Sequence, residues 1–184
     1  NSMRISSKIE SPVLENTLPF LCGSSILLQW SYFTKSDSSI VQLSEDKEFR
    51  AIKQQIKISK TNVIINELKS GATYYWRVAN YSNHEQSEWS VSGRFTVLPS
   101  PILVDQSKSI TIKEGMALPL KLEVYSLDSV QYQWKYNGVN IEGATAASYT
   151  IQDAQSTQGG LYSCAYKNQC GSAETSPIYV IINP

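Results

Sequence analysis

The chain has 184 residues, with 16 basic and 16 acidic side chains, one His and three Cys. A formal net charge of zero excludes the basic surface that nucleic-acid-binding proteins need. The longest apolar run, Ile178 to Ile182, is far shorter than the ~20 residues of a membrane-spanning helix, so no membrane insertion of this segment is expected. Aromatic residues are frequent, with 11 Tyr and four Trp.

Short stretches in which polar and apolar residues alternate recur along the first half, whereas helical periodicity is nearly absent. Such stretches at residues 25–30, 62–68 and 74–78, each followed by turn residues, predict β-strands with one buried face. The predicted inward-facing residues are Ile26, Leu28, Trp30, Val63, Ile65, Tyr74, Trp76 and Val78. Tyr75 and Arg77 are predicted to face outward.

The same pattern returns after a proline-containing segment, Leu98-Pro99-Ser100-Pro101. Two closely spaced prolines stiffen the backbone and interrupt a hydrogen-bonded ladder. Beyond them, residues 118–124 and 132–136 alternate again, and Asn137-Gly138 is typical of a tight hairpin turn. The sequence therefore predicts an all-β protein of two tandem sandwiches: residues 1–98, with a core from about residue 10, a linker at 99–101, and residues 102–184.

The spacing of aromatic residues in the first half resembles that of fibronectin type III domains. The residues and segments that carry this resemblance are Trp30, Leu68, Tyr74, Trp76, Arg77, Trp89, residues 41–49, residues 87–90 and residues 94–97. The resemblance implies that Trp30 and Trp76 fill the core and that Tyr74 is a corner tyrosine bonded to backbone near Leu68. Arg77 is expected to stack on Trp89. Residues 87–90 are also similar to half of the tryptophan-serine motif of cytokine receptors, but the upstream Trp-Ser pair is missing.

The second half resembles an immunoglobulin-like domain, especially the repeats of large secreted bacterial surface proteins. Trp134 on the third strand, and Tyr162 two residues before Cys164, carry the resemblance. It implies a core Trp134 and a corner tyrosine at Tyr162. Leu122 stands where such domains place the partner cysteine, so the inter-sheet disulfide cannot form.

The three cysteines are then interpreted as one disulfide-bonded pair and one unpaired cysteine. Relatives in the resembled group often carry a local pair, which implies a disulfide between Cys164 and Cys170. The alternative is that Cys164 is a buried thiol and Cys170 a turn residue. Cys22 is expected to be a partly buried thiol.

No catalytic constellation is found. His84 lies in a polar loop, the Asp residues are scattered singly, and neither metal-ligand spacing nor a phosphate loop is present. We therefore predict a protein that is not an enzyme, with no cofactor and no metal. The surface left for binding is a set of tyrosines and one phenylalanine not all needed for the cores: Tyr32, Phe33, Tyr75, Tyr81, Tyr136 and Tyr166.

The favoured function is a non-catalytic extracellular or cell-surface module, acting as a spacer or a protein–protein interaction unit of a larger surface protein. Its partners would be other domains of the parent chain and a cell-surface protein or glycan, and the signal peptide would lie outside this fragment. One alternative is a carbohydrate-binding accessory module of a secreted polysaccharide-degrading enzyme, for which a coplanar row of exposed Tyr or Trp is expected. A second is a eukaryotic receptor ectodomain, which would require glycosylation at the Asn80-Tyr81-Ser82 sequon.

Overall fold

The computed structural model describes residues 9–15, 18–32 and 36–184. The chain divides between Leu98 and Pro99 into two compact units. Each unit is a pair of β-sheets packed around its own core. Within the described residues, helical structure is limited to one 3-10 turn, Ser156–Gln158. The predicted all-β tandem of two sandwiches is therefore confirmed.

Nine strands are found in the described residues of the first unit. They are β1 (Val13–Glu15), β2 (Phe20–Cys22), β3 (Ile26–Ser31), β4 (Ser38–Ser44), β5 (Ile52–Ile58), β6 (Asn62–Ile65), β7 (Thr73–Ser82), β8 (Glu85–Gln86) and β9 (Gly93–Leu98). One sheet has the order β1-β3-β6 and the other the order β2-β9-β7-β4-β5, with β8 added to β7.

The second unit repeats this plan. Its strands are β10 (Ile102–Gln106), β11 (Ile110–Lys113), β12 (Leu118–Tyr125), β13 (Gln131–Tyr136), β14 (Val139–Asn140), β15 (Ser148–Ile151), β16 (Gly160–Asn168), β17 (Gly171–Glu174) and β18 (Ile178–Asn183). The sheets have the orders β10-β12-β15 and β11-β18-β16-β13-β14, with β17 added to β16. In both units the second strand pairs in parallel with the last, so the two units share one topology.

The alternation in the sequence accounts for both cores. Trp30 and Trp76 are buried between the sheets of the first unit, and Trp134 between those of the second. All the residues predicted to face inward lie in or against the core of their unit. The turn after β13 has positive φ at both central residues, 48° at Asn137 and 83° at Gly138, as a tight two-residue hairpin requires.

Both predicted corner tyrosines make their expected hydrogen bonds. The Lys69 N–H donates to the Tyr74 hydroxyl at 3.1 Å, one residue beyond the buried Leu68. The Tyr162 hydroxyl donates to the Gln158 carbonyl at 2.9 Å. Each ring lies in its core while its hydroxyl satisfies a backbone group at the end of the sandwich.

The proline-containing segment is held by the second unit. The Pro99 carbonyl accepts a hydrogen bond from Asn168 Nδ2 at 2.9 Å, and Ser100 Oγ donates to the Cys170 carbonyl at 3.0 Å. Pro101 is buried. These contacts fix the start of the second unit against its β16–β17 hairpin.

Candidate interaction surface

Arg77 is sandwiched between two aromatic rings on the outer face of the first unit. Its guanidinium carbon lies 4.3 Å from the centre of the Trp89 ring, as the stacking prediction requires, and 4.1 Å from that of Phe49. Arg77 Nε donates to Gln42 Oε1 at 2.9 Å. Burial by these neighbours lowers the pKa of Arg77. The stack therefore fastens the segment before β9 to the outer side of the sheet.

Two serines beside Trp89 complete the β7 ladder with their side chains. Ser87 Oγ accepts from the Asn80 N–H at 2.9 Å, and Ser90 Oγ accepts from the Val78 N–H at 3.0 Å. The backbone N–H groups of both serines donate back to β7 carbonyls. This segment therefore has a structural role. That role agrees with the predicted Arg77–Trp89 stack, which we prefer to a cytokine-receptor motif.

We predict that Ser90→Ala destabilises the first unit by about 1–3 kcal/mol, because the buried Val78 N–H loses its acceptor. Ser92→Ala is the matched control, since Ser92 is exposed in the same segment. Urea unfolding followed by the fluorescence of the first unit's tryptophans measures the difference. Equal midpoints for the two variants would contradict the prediction.

Asn80 is fully buried, and its side chain belongs to a hydrogen-bonded chain inside the first unit. Trp30 Nε1 donates to Ser39 Oγ at 3.0 Å, Ser39 Oγ donates to Asn80 Oδ1 at 3.2 Å, and Asn80 Nδ2 donates to the Glu10 carbonyl at 3.0 Å. Its amide nitrogen is therefore inaccessible in the folded protein. The glycosylation at Asn80 that the receptor alternative requires is incompatible with this fold.

The predicted Cys164–Cys170 disulfide is wrong. Cys170 is disulfide-bonded, but Cys164 is a free, buried thiol. The hairpin register explains this, because Asn168 pairs with Gly171. Cys164 lies opposite Thr175 instead: the Thr175 N–H donates to the Cys164 carbonyl, and the Cys164 N–H donates to Thr175 Oγ1. Cys164 thus lies at least four residues, roughly 13 Å, from the turn that holds Cys170, and a disulfide requires Cα atoms within about 7 Å. Cys22, expected to be a partly buried thiol, is also disulfide-bonded, and it is exposed.

We expect the Cys164 thiol to resist alkylation in the folded protein. Burial raises its pKa to about 11, so only about one thousandth is thiolate at pH 8. Cys22 and Cys170 are blocked by their disulfide bonding, so iodoacetamide uptake reports Cys164 alone. Mass spectrometry should show no label under native conditions and one label in urea without reductant. Rapid labelling of the native chain would contradict a closed core.

Three of the aromatic residues predicted to contact ligand pack in or against the hydrophobic cores instead. Tyr166 is only 5% exposed and lies in the second core, so its assignment to the free surface is wrong. Tyr136 is half-buried against the same core and donates to the carbonyls of Thr157 and Gly159, and Tyr32 packs on the first core. Phe33 lies outside the described residues.

The other two candidates lie on the outward side of β7. Tyr75 and Tyr81 are six residues apart and both half-buried, and the Lys57 ammonium covers the Tyr81 ring at 3.8 Å. The candidates that the structure describes therefore form no coplanar row of exposed rings, which the carbohydrate-binding alternative needs.

A surface that the sequence reasoning missed lies on the outward side of the sheet containing β16. We call it the β16 face, defined by outward residues of β13, β16, β17 and β18. At one end Leu161 pairs directly with Tyr179, and Ile181 follows on β18. These side chains are 40%, 59% and 56% exposed. They form an apolar patch across adjacent strands.

A salt bridge and a groove continue the β16 face beyond the apolar patch. Lys135 Nζ lies 2.7 Å from Glu174 Oε2, and Ser163 Oγ donates to Glu174 Oε1 at 2.6 Å. The hydrogen bond from Lys135, followed by that from Ser163, holds the pKa of Glu174 below its usual value. Past this pair, a cavity of about 490 Å³ opens over Gln133 and Ala165.

Within the described residues, no group of three or more His, Cys, Asp or Glu side chains could hold a metal ion. His84, the one histidine, is exposed between β7 and β8. A search of the same residues finds no helix with the length and apolar content to cross a membrane.

No protein-family model and no curated protein matches the sequence. Among solved structures, the chain is similar to the IG1 and IG2 domains of DIP-gamma, with 12% identity, a TM-score of 0.62, and coverage of 95% of this chain and 99% of that one. The fold is a tandem of immunoglobulin-like β-sandwiches. The I67–I69 fragment of titin gives 12% identity and a TM-score of 0.65, covering 94% of this chain and 63% of that one. Extracellular domains 3–5 of Drosophila OTK give 13% identity and a TM-score of 0.58, covering 95% of this chain and 60% of that one.

At these identities the similarity shows the fold alone. The chain spans nearly all of the DIP-gamma structure and less than two thirds of the titin and OTK structures. The fibronectin type III assignment of the first half rests on the sequence anchors and stays a prediction.

Proposed function

We propose that the chain is a non-catalytic interaction module of a larger exported surface protein and that it binds a partner protein through the β16 face. The observation that carries this proposal is the apolar patch of Leu161, Tyr179 and Ile181. Single exposed apolar residues are ordinary on protein surfaces. Three on neighbouring strands of one sheet face are typical of an interaction site.

The composition of the β16 face supports a protein partner. Tyrosine is enriched at the centres of interfaces, where its ring contributes area and its hydroxyl a hydrogen bond. The Lys135–Glu174 pair and the polar groove beside the patch supply the polar rim that such interfaces have. The DIP-gamma tandem has also been solved bound to Dpr11 IG1, a precedent for a two-sandwich chain that binds another protein.

The cysteines support an extracellular location. Disulfides persist in oxidising compartments and are rare in the cytosol, and both Cys22 and Cys170 are disulfide-bonded. The resemblance of the two halves to fibronectin type III and immunoglobulin-like repeats favours a bacterial surface or adhesion protein as the parent. In that setting the first sandwich and the proline-containing segment act as a spacer for the second.

Retention of the chain on cells or extracellular matrix tests this proposal. We expect the wild-type chain to be retained and Leu161→Glu to lose retention, because a carboxylate enters the centre of the patch. Val104→Glu is the matched control, since Val104 is 58% exposed on β10 of the other sheet. Retention of Leu161→Glu at the wild-type level would contradict binding through the β16 face. No retention of wild-type protein would leave the spacer role alone.

A further inference from the structure

Two cavities meet on the β16 face, beyond the apolar patch. The first, of about 490 Å³, lies over β13, β16 and β17, and the second, of about 460 Å³, extends to the loop before β13. Both are lined by Gln131 and Lys167, which are direct cross-strand partners. The two cavities therefore form one groove that runs along the strands, with Gln131 and Lys167 at its midpoint.

Several polar side chains in this groove have no partner among the residues that the structure describes. Among the described residues, no hydrogen bond or ion pair engages the side chains of Gln131, Asn140, Lys167, Gln169 and Ser172. The other lysine of the first cavity, Lys135, is held by Glu174. Of the residues that the structure describes, Lys167 is thus the cation in the first cavity that remains available, and none of the described lining residues is a carboxylate.

We propose that this groove binds a short extended segment of the partner protein that carries an acidic residue near its centre. An unengaged amide offers the same donor and acceptor as a peptide bond, so Asn140 can pair with the backbone of an extended segment. The Lys167 ammonium and the Gln131 amide then hold the acidic carboxylate at the midpoint. This inference deepens the proposed function, because the segment belongs to the same partner.

Length and charge restrict the segment further. From Ser129 to Lys135 the groove follows about six residues of extended chain, roughly 20 Å. Asp128 lies at the far end and opposes a second acidic residue there. The acidic side chain therefore sits over Lys167, with neutral residues towards Asp128.

An acidic sugar is a poorer occupant of this groove. Sugars stack on exposed aromatic faces, but Tyr166 in the groove lining is only 5% exposed and Tyr132 packs against the core. Neither ring offers a free platform. An acidic oligosaccharide is accordingly an outcome of the test below.

NMR titration of the full chain tests the proposal with three probes. The first is a capped hexapeptide with two central glutamates flanked by serines, the second the same peptide with glutamines, and the third a galacturonic acid oligomer. We expect the acidic peptide alone to shift the amides of residues 131, 133, 165 and 167. Lys167→Glu should weaken that binding by at least about tenfold, and Lys121→Glu, on the exposed side of β12, should leave it unchanged.

Three results would overturn the proposal: no shifts in the groove, equal shifts with the glutamine peptide, or stronger binding by the sugar oligomer. The failure of this inference is separable from failure of the proposed function. Leu161→Glu should abolish retention on cells yet leave hexapeptide binding intact. If Leu161→Glu loses retention on cells but the wild-type chain does not bind the acidic hexapeptide, the groove proposal is refuted while the β16 face remains the interface.

Discussion

Trp134→Ala should unfold the second sandwich at ordinary temperature or leave it barely stable, with a loss of about 3–5 kcal/mol. Trp134 has no exposed surface, and its Nε1 donates to the Ala146 carbonyl at 2.9 Å. The truncation removes the largest side chain between the two sheets and leaves that carbonyl without its donor.

Hydrogen exchange read by NMR measures this effect unit by unit. Amides of β12, β13 and β16 should lose protection, while those of β3, β4 and β7 keep theirs, because each unit has its own core. Val139→Ala is the control, since Val139 is 71% exposed in the same unit. Equal loss of protection in both units would contradict two separate cores.

Gly93→Ala should destabilise the first sandwich by about 1–3 kcal/mol or more. Gly93 pairs with Trp76 across β7 and β9, and a Cβ there would overlap Trp76 Nε1 and lie 2.8 Å from Cδ1. The indole is buried and cannot move without opening the core. The strand and the ring therefore have to separate.

Thermal unfolding of Gly93→Ala, Trp76→Phe and the double variant measures this coupling. Phenylalanine has no indole nitrogen, the atom that Cβ would overlap, so the double variant should lose less than the sum of the two single changes. Additive losses would show that Gly93 is needed for some other reason. Ser92→Ala, next to Gly93 and exposed, should behave like wild type.

The sandwiches and their cores could be predicted because the governing signals are local. Alternation assigns inward residues such as Leu120 and Val78 without any knowledge of which strands pair. The corner tyrosines and the Arg77–Trp89 stack are implied by the family resemblances, not by the alternation itself. The same alternation, continued along β16, would also have placed Tyr166 on the inward side with Tyr162 and Cys164.

The remaining features depend on register and on non-local pairing. The cysteine prediction failed because sequence separation does not reveal that Thr175 lies opposite Cys164. Phe49 reaches Arg77 from a turn in which its own φ is 57°, a conformation that no pattern of residue types indicated. The β16 face could not be found either, since Leu161 and Tyr179 are brought together only by the antiparallel pairing of β16 with β18.

Site-specific photo-crosslinking tests the β16 face most directly. A photoreactive phenylalanine analogue replaces Tyr179 in one variant and Val104 in another, both positions being more than half exposed but on different sheets. On cells that retain the chain, position 179 should give a discrete protein adduct that Leu161→Glu abolishes, and position 104 should give none. Adducts at position 104 alone, or in equal yield at both positions, would contradict binding through the β16 face.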